Sequence, residues 1–469
     1  MINRGIWMKA DYTMSRVSRY AEHPFIEAQP PLPPKIVDIV LSLKHYPPKP
    51  SAAIWEADEV TRVLELQCLS DVVYPFPFYE QVALAFATMM RESYVARHPF
   101  DPIDQQRRHA IASAEEDGVP FPPGWKSSGQ GFSLIALSGM SKTTLINSFF
   151  MHYPQIIEHS DYKNHSLSCL QLLYLILRVP HDATLRGFCL NFFSEVDSLI
   201  GTKYHGQAES IRTIAPMVSL MRTVATACST GIIIVDEVQN VRLATRPGAS
   251  MMLNLFSELI ETIGLSLVIV GTPAVGRTLR RNALNARKLA SAGSRDFPLL
   301  DSQSPIWKSF CKLIWAYRYT KVYVPLTPKI MNVWHYHCAG NIAFAVLLYW
   351  LAQRESIGGT ERVDEHTFEL VSKTAMATLQ PAISYLRSRK TESKSEFEDL
   401  LFATDYDQLF SQFGGTTAYP SKPHDYDEEE FEDYGEPNDS SDQTKRGRPR
   451  VHASTAPPEL PVEQPIHRK

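Results

Sequence analysis

Residues 131–150 (GFSLIALSGMSKTTLINSFF) constrain this chain more than any other segment. The apolar run 132–137 predicts a buried strand, after which 138–144 turns into a helix with an apolar face. Strand, small-residue loop, Lys-Thr and helix is the layout of a phosphate-binding loop. Its backbone N–H groups and helix N-terminus cradle phosphate oxygens, its Lys neutralises charge and its hydroxyl holds Mg²⁺. Ser138, Gly139, Met140, Ser141, Lys142, Thr143 and Thr144 are therefore the expected ATP-binding residues, with Thr143 also a Mg²⁺ ligand. The pattern G-x-x-x-x-G-K-[ST] is broken at both glycines, where Ala136 and Ser141 stand.

A second segment, 231–240 (GIIIVDEVQN), sets four apolar residues ahead of two carboxylates. Such a run fits a strand buried on both faces of a parallel sheet. Open α/β sheets place ligands at the carboxyl ends of their strands. Asp236 is thus expected to orient hydrated Mg²⁺, and Glu237 to align and polarise an attacking water. Alone, the segment reads equally well as a core strand ending in two solvated acids; behind a phosphate-binding loop the catalytic reading prevails. A third apolar run, 265–271, ends in Gly-Thr-Pro and presents Thr272 to the γ-phosphate or the water. Three strands ending in Lys142-Thr143, Asp236-Glu237 and Thr272, in that order, imply an ATPase core.

The 469 residues suffice for two or three domains. With 47 basic and 51 acidic residues the net charge is −4, so any DNA-binding surface must be local. No stretch of about 20 apolar residues occurs, so no membrane span is expected. The N-terminus lacks the apolar segment of a secretory signal. Six cysteines without C-x-x-C spacing read as reduced thiols of a cytoplasmic protein.

Along the chain, residues 1–34 are polar, then Pro-rich, and read as extended. Apolar helices are expected at 36–43, 57–69 and 78–96, serving either to dock a partner or to cover the core. A polar linker containing Gln105, Gln106, Arg107 and Arg108 leads into the sheet. The expected core strands are 132–137, 169–175, 232–235, 266–271 and 321–326, with helices between them as βαβ connections require. An amphipathic helix is expected at 254–263. Thr327 is an expected N-cap with Pro328 at the first helical position, opening helices at 331–337, 342–353 and 366–379. The fold class is α/β: a P-loop core with a five-stranded parallel sheet (105–326), a small α-helical lid (327–401), a mostly helical N-terminal extension (1–104) and a tail (402–469). The tail carries an acidic run at 425–436 and the basic KRGRPR at 445–450, and its composition predicts disorder. Arg446, Arg448 and Arg450 resemble the core of AT-hook peptides, whose arginines enter narrow A·T minor grooves.

The chain resembles the TnsC-type AAA+ regulators of heteromeric DNA transposons, and more distantly TniB-type proteins. The resemblance rests on 23–34 (HPFIEAQPPLPP), 199–204 (LIGTKY), 231–240, 254–274 (NLFSELIETIGLSLVIVGTPA), 304–315 and 339–353 (AGNIAFAVLLYWLAQ). It implies a cytoplasmic, bacterial, DNA-associated ATPase that binds ATP and Mg²⁺ and assembles on double-stranded DNA as a hexameric or heptameric ring or helical filament. It further implies that the protein links a TniQ/TnsD-type target selector to TnsA/TnsB-type transposase subunits and disassembles on hydrolysis. Thr272 becomes the polar sensor of the family. Ser141 replaces the family's Gly before the Lys, at a position where a left-handed backbone costs roughly 1 kcal/mol; slow hydrolysis is expected. Arg287-Lys288 stands where a paired Arg-Arg is usual, leaving Arg277, Arg280, Arg281 and Arg287 as arginine-finger candidates. The lid helix lacks the basic residue often used as a second sensor. Lys163, Lys203 and Arg212, in connections flanking core strands, are candidate phosphate contacts to DNA. The competing readings are a non-hydrolysing AAA+ scaffold and an AAA+ loader or initiator of another DNA machine.

Overall fold

A computed structural model describes residues 6–114, 121–243, 246–275 and 283–388. Its strands are β1 (Trp7–Lys9), β2 (Gly131–Ile135), β3 (Ile156–Tyr162), β4 (His165–Leu172), β5 (Tyr174–Arg178), β6 (Ile232–Asp236), β7 (Ser266–Gly271) and β8 (Ser294–Arg295). Five of them form one parallel sheet in the order β5-β6-β7-β2-β8. Strands β6, β7 and β2 lie at its centre and are buried along their whole length, as their unbroken apolar runs require. Register fixes the functional edge. Ile135 lies opposite Gly271, and Val235 opposite Ile269, so the residues after β2, β6 and β7 emerge side by side.

Helices Leu185–Ile200, Ile214–Ala227 and Arg246–Glu258 belong to the crossovers between these strands. The last runs into a π-helical turn, Leu259–Ile263, before Gly264 closes it in the left-handed region; the expected 254–263 helix is thus the end of a longer one. Gly131 begins β2 because there is no room for a side chain. A Cβ there would lie 2.3 Å from the Lys288 carbonyl oxygen.

The sheet corrects two expected strands. The fifth is Ser294–Arg295, paired with β2, not 321–326. Segment 321–326 has no ladder partner; Val322 and Tyr323 are exposed, and the chain is held by Val322 N–H donating to Glu361 O and Trp315 Nε1 donating to Val324 O. The expected strand 169–175 is divided between two sheets. Residues up to Leu172 belong to β4, Leu173 N–H bonds Gln155 O, and the core strand starts at Tyr174. Both halves are apolar, so the change of sheet leaves no mark in composition.

A separate three-stranded sheet, β1-β3-β4, was not anticipated. The β3–β4 hairpin closes on Lys163 and Asn164, both at positive φ, as a two-residue hairpin turn demands. β1 pairs in parallel with β3, and Pro24–Glu27 is helical, so residues 6–34 are not simply extended.

The N-terminal helices cover the core. Helix Tyr79–Val95 packs against the sheet, with Tyr94 Oη donating to Ser229 O. The expected polar linker at 105–108 is instead part of a helix, Pro102–Ser113, capped by Asp101. There Arg107 is buried, forks onto Asp104 at 2.7 and 2.9 Å, donates to Ile263 O and stacks over Trp125. A charged tetrapeptide reads as linker, but its i,i+3 and i,i+4 partner Asp104 lets it be buried.

Helices Pro328–Cys338, Ile342–Ser356 and Glu365–Lys373 form the small helical lid. Thr327 caps the first by accepting from Ile330 N–H, with Pro328 in the first turn. Its core is aromatic: Trp315, Trp334, Tyr349 and Phe368 pack with ring centroids 5.1–6.5 Å apart. All the described residues lie in one compact unit.

Candidate nucleotide site

The site grows from the end of β2. After Ile135 the chain forms a loop in which Gly139 sits at φ +80° and Ser141 at φ +60°, ψ +25°. The left-handed conformation expected at Ser141 is present, and its side chain is within hydrogen-bonding reach of the buried Tyr79 hydroxyl. Helix Lys142–Phe150 follows, its N-terminal backbone donors facing the loop. Lys142 Nζ curls over the loop and donates to the carbonyls of Ala136 (2.7 Å) and Leu137 (2.9 Å). Met140 alone among the expected loop residues turns its side chain into the core, where it is fully buried; only its backbone belongs to the loop face.

Asp236 ends β6 and is buried, its Oδ1 accepting from Glu237 N–H at 2.8 Å. Glu237 stands at φ +59°, which turns its exposed side chain off the strand line. Thr272 follows β7 and is buried beside it. Ser138, Gly139, Ser141, Lys142, Thr143, Thr144, Asp236, Glu237 and Thr272 all line one cavity of about 830 Å³.

Other walls of that cavity were not read from the sequence. The N-terminal segment contributes Gln67, Leu69, Val72, Tyr74 and Tyr79, and the lid helix contributes Ile342, Ala343, Val346 and Trp350. The cavity therefore has a polar half at the loop and an apolar, aromatic half between the N-terminal segment and the lid, a division that suits phosphates at one end and a flat base at the other. The lid grips the loop directly: Asn341 Nδ2 donates to Ser138 O at 2.8 Å, and Ala343 N–H to Gly139 O at 3.0 Å. A Cβ on Gly139 would meet Asn341 Oδ1 at 2.5 Å. The Gly340-Asn341 pair ahead of an apolar helix was the available signal for a cap, and Asn341 does accept from Phe344 N–H. Gln239, two residues past Glu237, also lines the cavity and carried no spacing signal.

The donor set fits a Mg²⁺-nucleotide. It offers the Lys142 cation, several hydroxyls including that of Thr143, the buried Asp236 carboxylate and a helix N-terminus, and Mg²⁺ on phosphates needs few protein ligands. Among the described residues there is no cluster of three or more His, Cys, Asp or Glu that could hold a metal by itself.

The remaining candidates that are described, Arg287, Lys163, Lys203 and Arg212, do not line the cavity. Arg287 is exposed on helix Ala283–Leu289; Arg277, Arg280, Arg281, Arg446, Arg448 and Arg450 lie outside the described residues. Lys163 is exposed at the hairpin turn, paired with Glu22 at 3.1 Å. Lys203 and Arg212 are exposed on either side of helix Tyr204–Ser210. The 199–204 segment has a structural account: Gly201 closes helix Leu185–Ile200 in the left-handed region. Asp197 then accepts from Thr202 Oγ1 and from the N–H groups of Tyr204 and His205. All six cysteines are free, and burial pushes the thiols of Cys189 and Cys338 up to about 12.

The site thus combines a parallel sheet of this order, a small-residue loop after one central strand, an acidic pair and a polar residue after the next two, and a helical lid. Residues 126–279 match the AAA domain family. Among solved structures the chain is similar to a Walker-type ATPase of Pyrococcus abyssi, with 14% identity, covering 62% of this chain and 76% of that one at a TM-score of 0.34. It is also similar to the Drosophila ORC bound to DNA, with 12% identity, 71% and 80% coverage and a TM-score of 0.32. A comparison with curated proteins finds no match. Among the described residues no helix is long and apolar enough to cross a membrane.

Proposed function

We propose that this protein is an ATP-dependent, DNA-bound regulator of transposition that oligomerises on target DNA and links a target selector to the transposase. One observation carries the ATP-dependent part: the loop Ser138–Thr144, Asp236, Glu237 and Thr272 converge on a cavity whose far wall is the lid helix. A nucleotide there touches core and lid at once, so its hydrolysis state sets their relative position and hence the surface offered to a neighbouring subunit. The transposition role is supported by the resemblance carried on 199–204, 254–274 and 339–353.

Within this reading Lys142 neutralises the β- and γ-phosphates, and the helix N-terminus donates to their oxygens. Thr143 and Asp236 would hold Mg²⁺, which offsets phosphate charge when bound. Glu237 aligns and polarises the attacking water, and Thr272 reads the γ-phosphate end. Ser141 at a left-handed position and Ala343 where a lid cation would help keep turnover slow. Those same two features favour a second reading, a scaffold that binds ATP without hydrolysing it.

Arg287, Arg277, Arg280 and Arg281 stay as candidates for the trans-acting arginine. Lys163, Lys203, Arg212 and the tail arginines stay as candidates for DNA phosphates. The division into 1–104, 105–326, 327–401 and 402–469 is part of the proposal. Imaging the protein on duplex DNA with ATP, a slowly hydrolysed analogue, ADP or no nucleotide tests it. Rings or filaments are expected with the first two only, and with none for Lys142→Ala. Identical assemblies in all four states would eliminate the ATP switch and leave the scaffold.

A further inference from the structure

We propose that Gln239 is a positioning residue for hydrolysis: its side-chain amide ties the Glu237 carboxylate to the backbone of the residue that ends β7. The inference rests on the ATPase reading of the site and extends it to a residue of the 231–240 segment to which the sequence assigned no role.

Both ends of the Gln239 amide are used. Its Nε2 donates to Glu237 Oε2, and its Oε1 accepts from Thr272 N–H at 3.2 Å. The side chain is buried, although Glu237 itself is exposed to the cavity. The left-handed turn at Glu237 lets this happen. It ends the strand and starts the short 3₁₀ helix Val238–Leu243, and Val238 and Val241 anchor that helix in the core. Asn240 fixes it further, through its N–H to Glu237 O and its Nδ2 to Val179 O. Gly271 leaves the space: a Cβ there would come within 3.0 Å of Gln239 Oε1.

The chemistry follows from which oxygen is held. A glutamate side chain has three rotatable bonds, and a freely rotating carboxylate seldom points at a water in line with phosphorus. Gln239 engages Oε2, which restrains the carboxylate of a residue that lines the cavity and leaves Oε1 outside that bond. Because the same amide bonds Thr272 N–H, a shift at the γ-phosphate end of β7 is transmitted to Glu237 without an intervening charged group. An acceptor for Thr272 N–H alone does not need an amide, since a glutamate would serve. The donor to Glu237 does need one.

Gln239→Met and Gln239→Glu in the full chain, with steady-state ATP turnover and thermal melting, test the assignment. Gln239→Met keeps the length and removes both bonds. Gln239→Glu keeps the acceptor for Thr272 and loses the donor to Glu237. The expected result is a kcat lowered about tenfold or more in both, with KM for Gln239→Met within about twofold of wild type. A wild-type kcat in Gln239→Glu, or KM and kcat of Gln239→Met worsening together, would overturn it. If Gln239→Met melts before assay, kcat of Gln239→Glu at saturating ATP decides. Wild-type protein that turns over no ATP would remove the ATPase reading itself, an outcome distinct from normal turnover in the variants.

Discussion

Asn341 donates its side-chain amide to the carbonyl of Ser138 at 2.8 Å, so the residue that caps the lid helix also holds the loop after β2. Core and lid are joined at the cavity itself, by neutral hydrogen bonds rather than by a lid cation reaching a phosphate. Asn341→Ala should lose the cap and the latch together, at about 1–2 kcal/mol. Hydrogen exchange should quicken in helix Ile342–Ser356, and ATP should slow it less than in wild type. Exchange in that helix identical to wild type, with and without ATP, would show that the latch is not what couples the two.

Ser141 carries a Cβ at φ +60°, where glycine has no penalty. Ser141→Gly relieves about 1 kcal/mol of strain but gains unfolded-state entropy and loses the contact with Tyr79, so melting should move little. ATP turnover should rise several-fold, because the loop closes on phosphate without the side chain. Turnover equal to wild type would mean that the serine is not what slows the site.

Ala343 lines the cavity at the start of the lid helix and its N–H is already bonded to the loop. Although its helix forms the apolar wall, Ala343 itself abuts Gly139, so Ala343→Arg places a cation beside the loop and should raise kcat by about three- to tenfold. A higher ATP affinity with unchanged kcat would show that the added charge binds the ground state only.

Among the described residues an ion pair ties the N-terminal helices to the lid. Arg62 is fully buried and forks onto Glu361 at 2.6 and 2.7 Å while donating to Tyr319 O. The Arg62 hydrogen bonds, joined by backbone donors at Gly358 and Lys321, hold the Glu361 carboxyl down from 4.5 to about 2. The folded pKa lies below the unfolded one, so this stabilisation is complete above about pH 5 and disappears as pH falls towards 2. Chemical denaturation across pH 2–6 should show a loss at acid pH that Glu361→Gln flattens. Arg62→Ala should destabilise by about 2–3 kcal/mol at pH 7. An Arg62→Ala protein as stable as wild type would place the anchoring elsewhere.

The residues that meet at the cavity were legible because each signal is local: Lys142-Thr143, Asp236-Glu237 and Thr272 follow apolar runs whose burial is written in composition. Thr327 with Pro328 was legible for the same reason, since a cap acts within one turn. Strand 169–175 was misread because Leu173 changes sheets with no change in hydrophobicity. The helix at Pro102–Ser113 was missed because Arg107 looks solvated until Asp104 and Trp125 enclose it. Asn341 carried only the signature of a cap, and Gln239 and Ala343 had none, since their partners lie on other elements or, for Gln239, across a turn whose left-handed geometry is not encoded by glycine.

The sequence by itself determined the three central strands, the loop and the acidic pair, because these depend on short-range periodicity and on residue chemistry at strand ends. Only the tertiary structure decided which surfaces complete the cavity. The N-terminal segment and the lid reach it across roughly 70 and 200 residues of chain, and such contacts are set by packing, which no local pattern records.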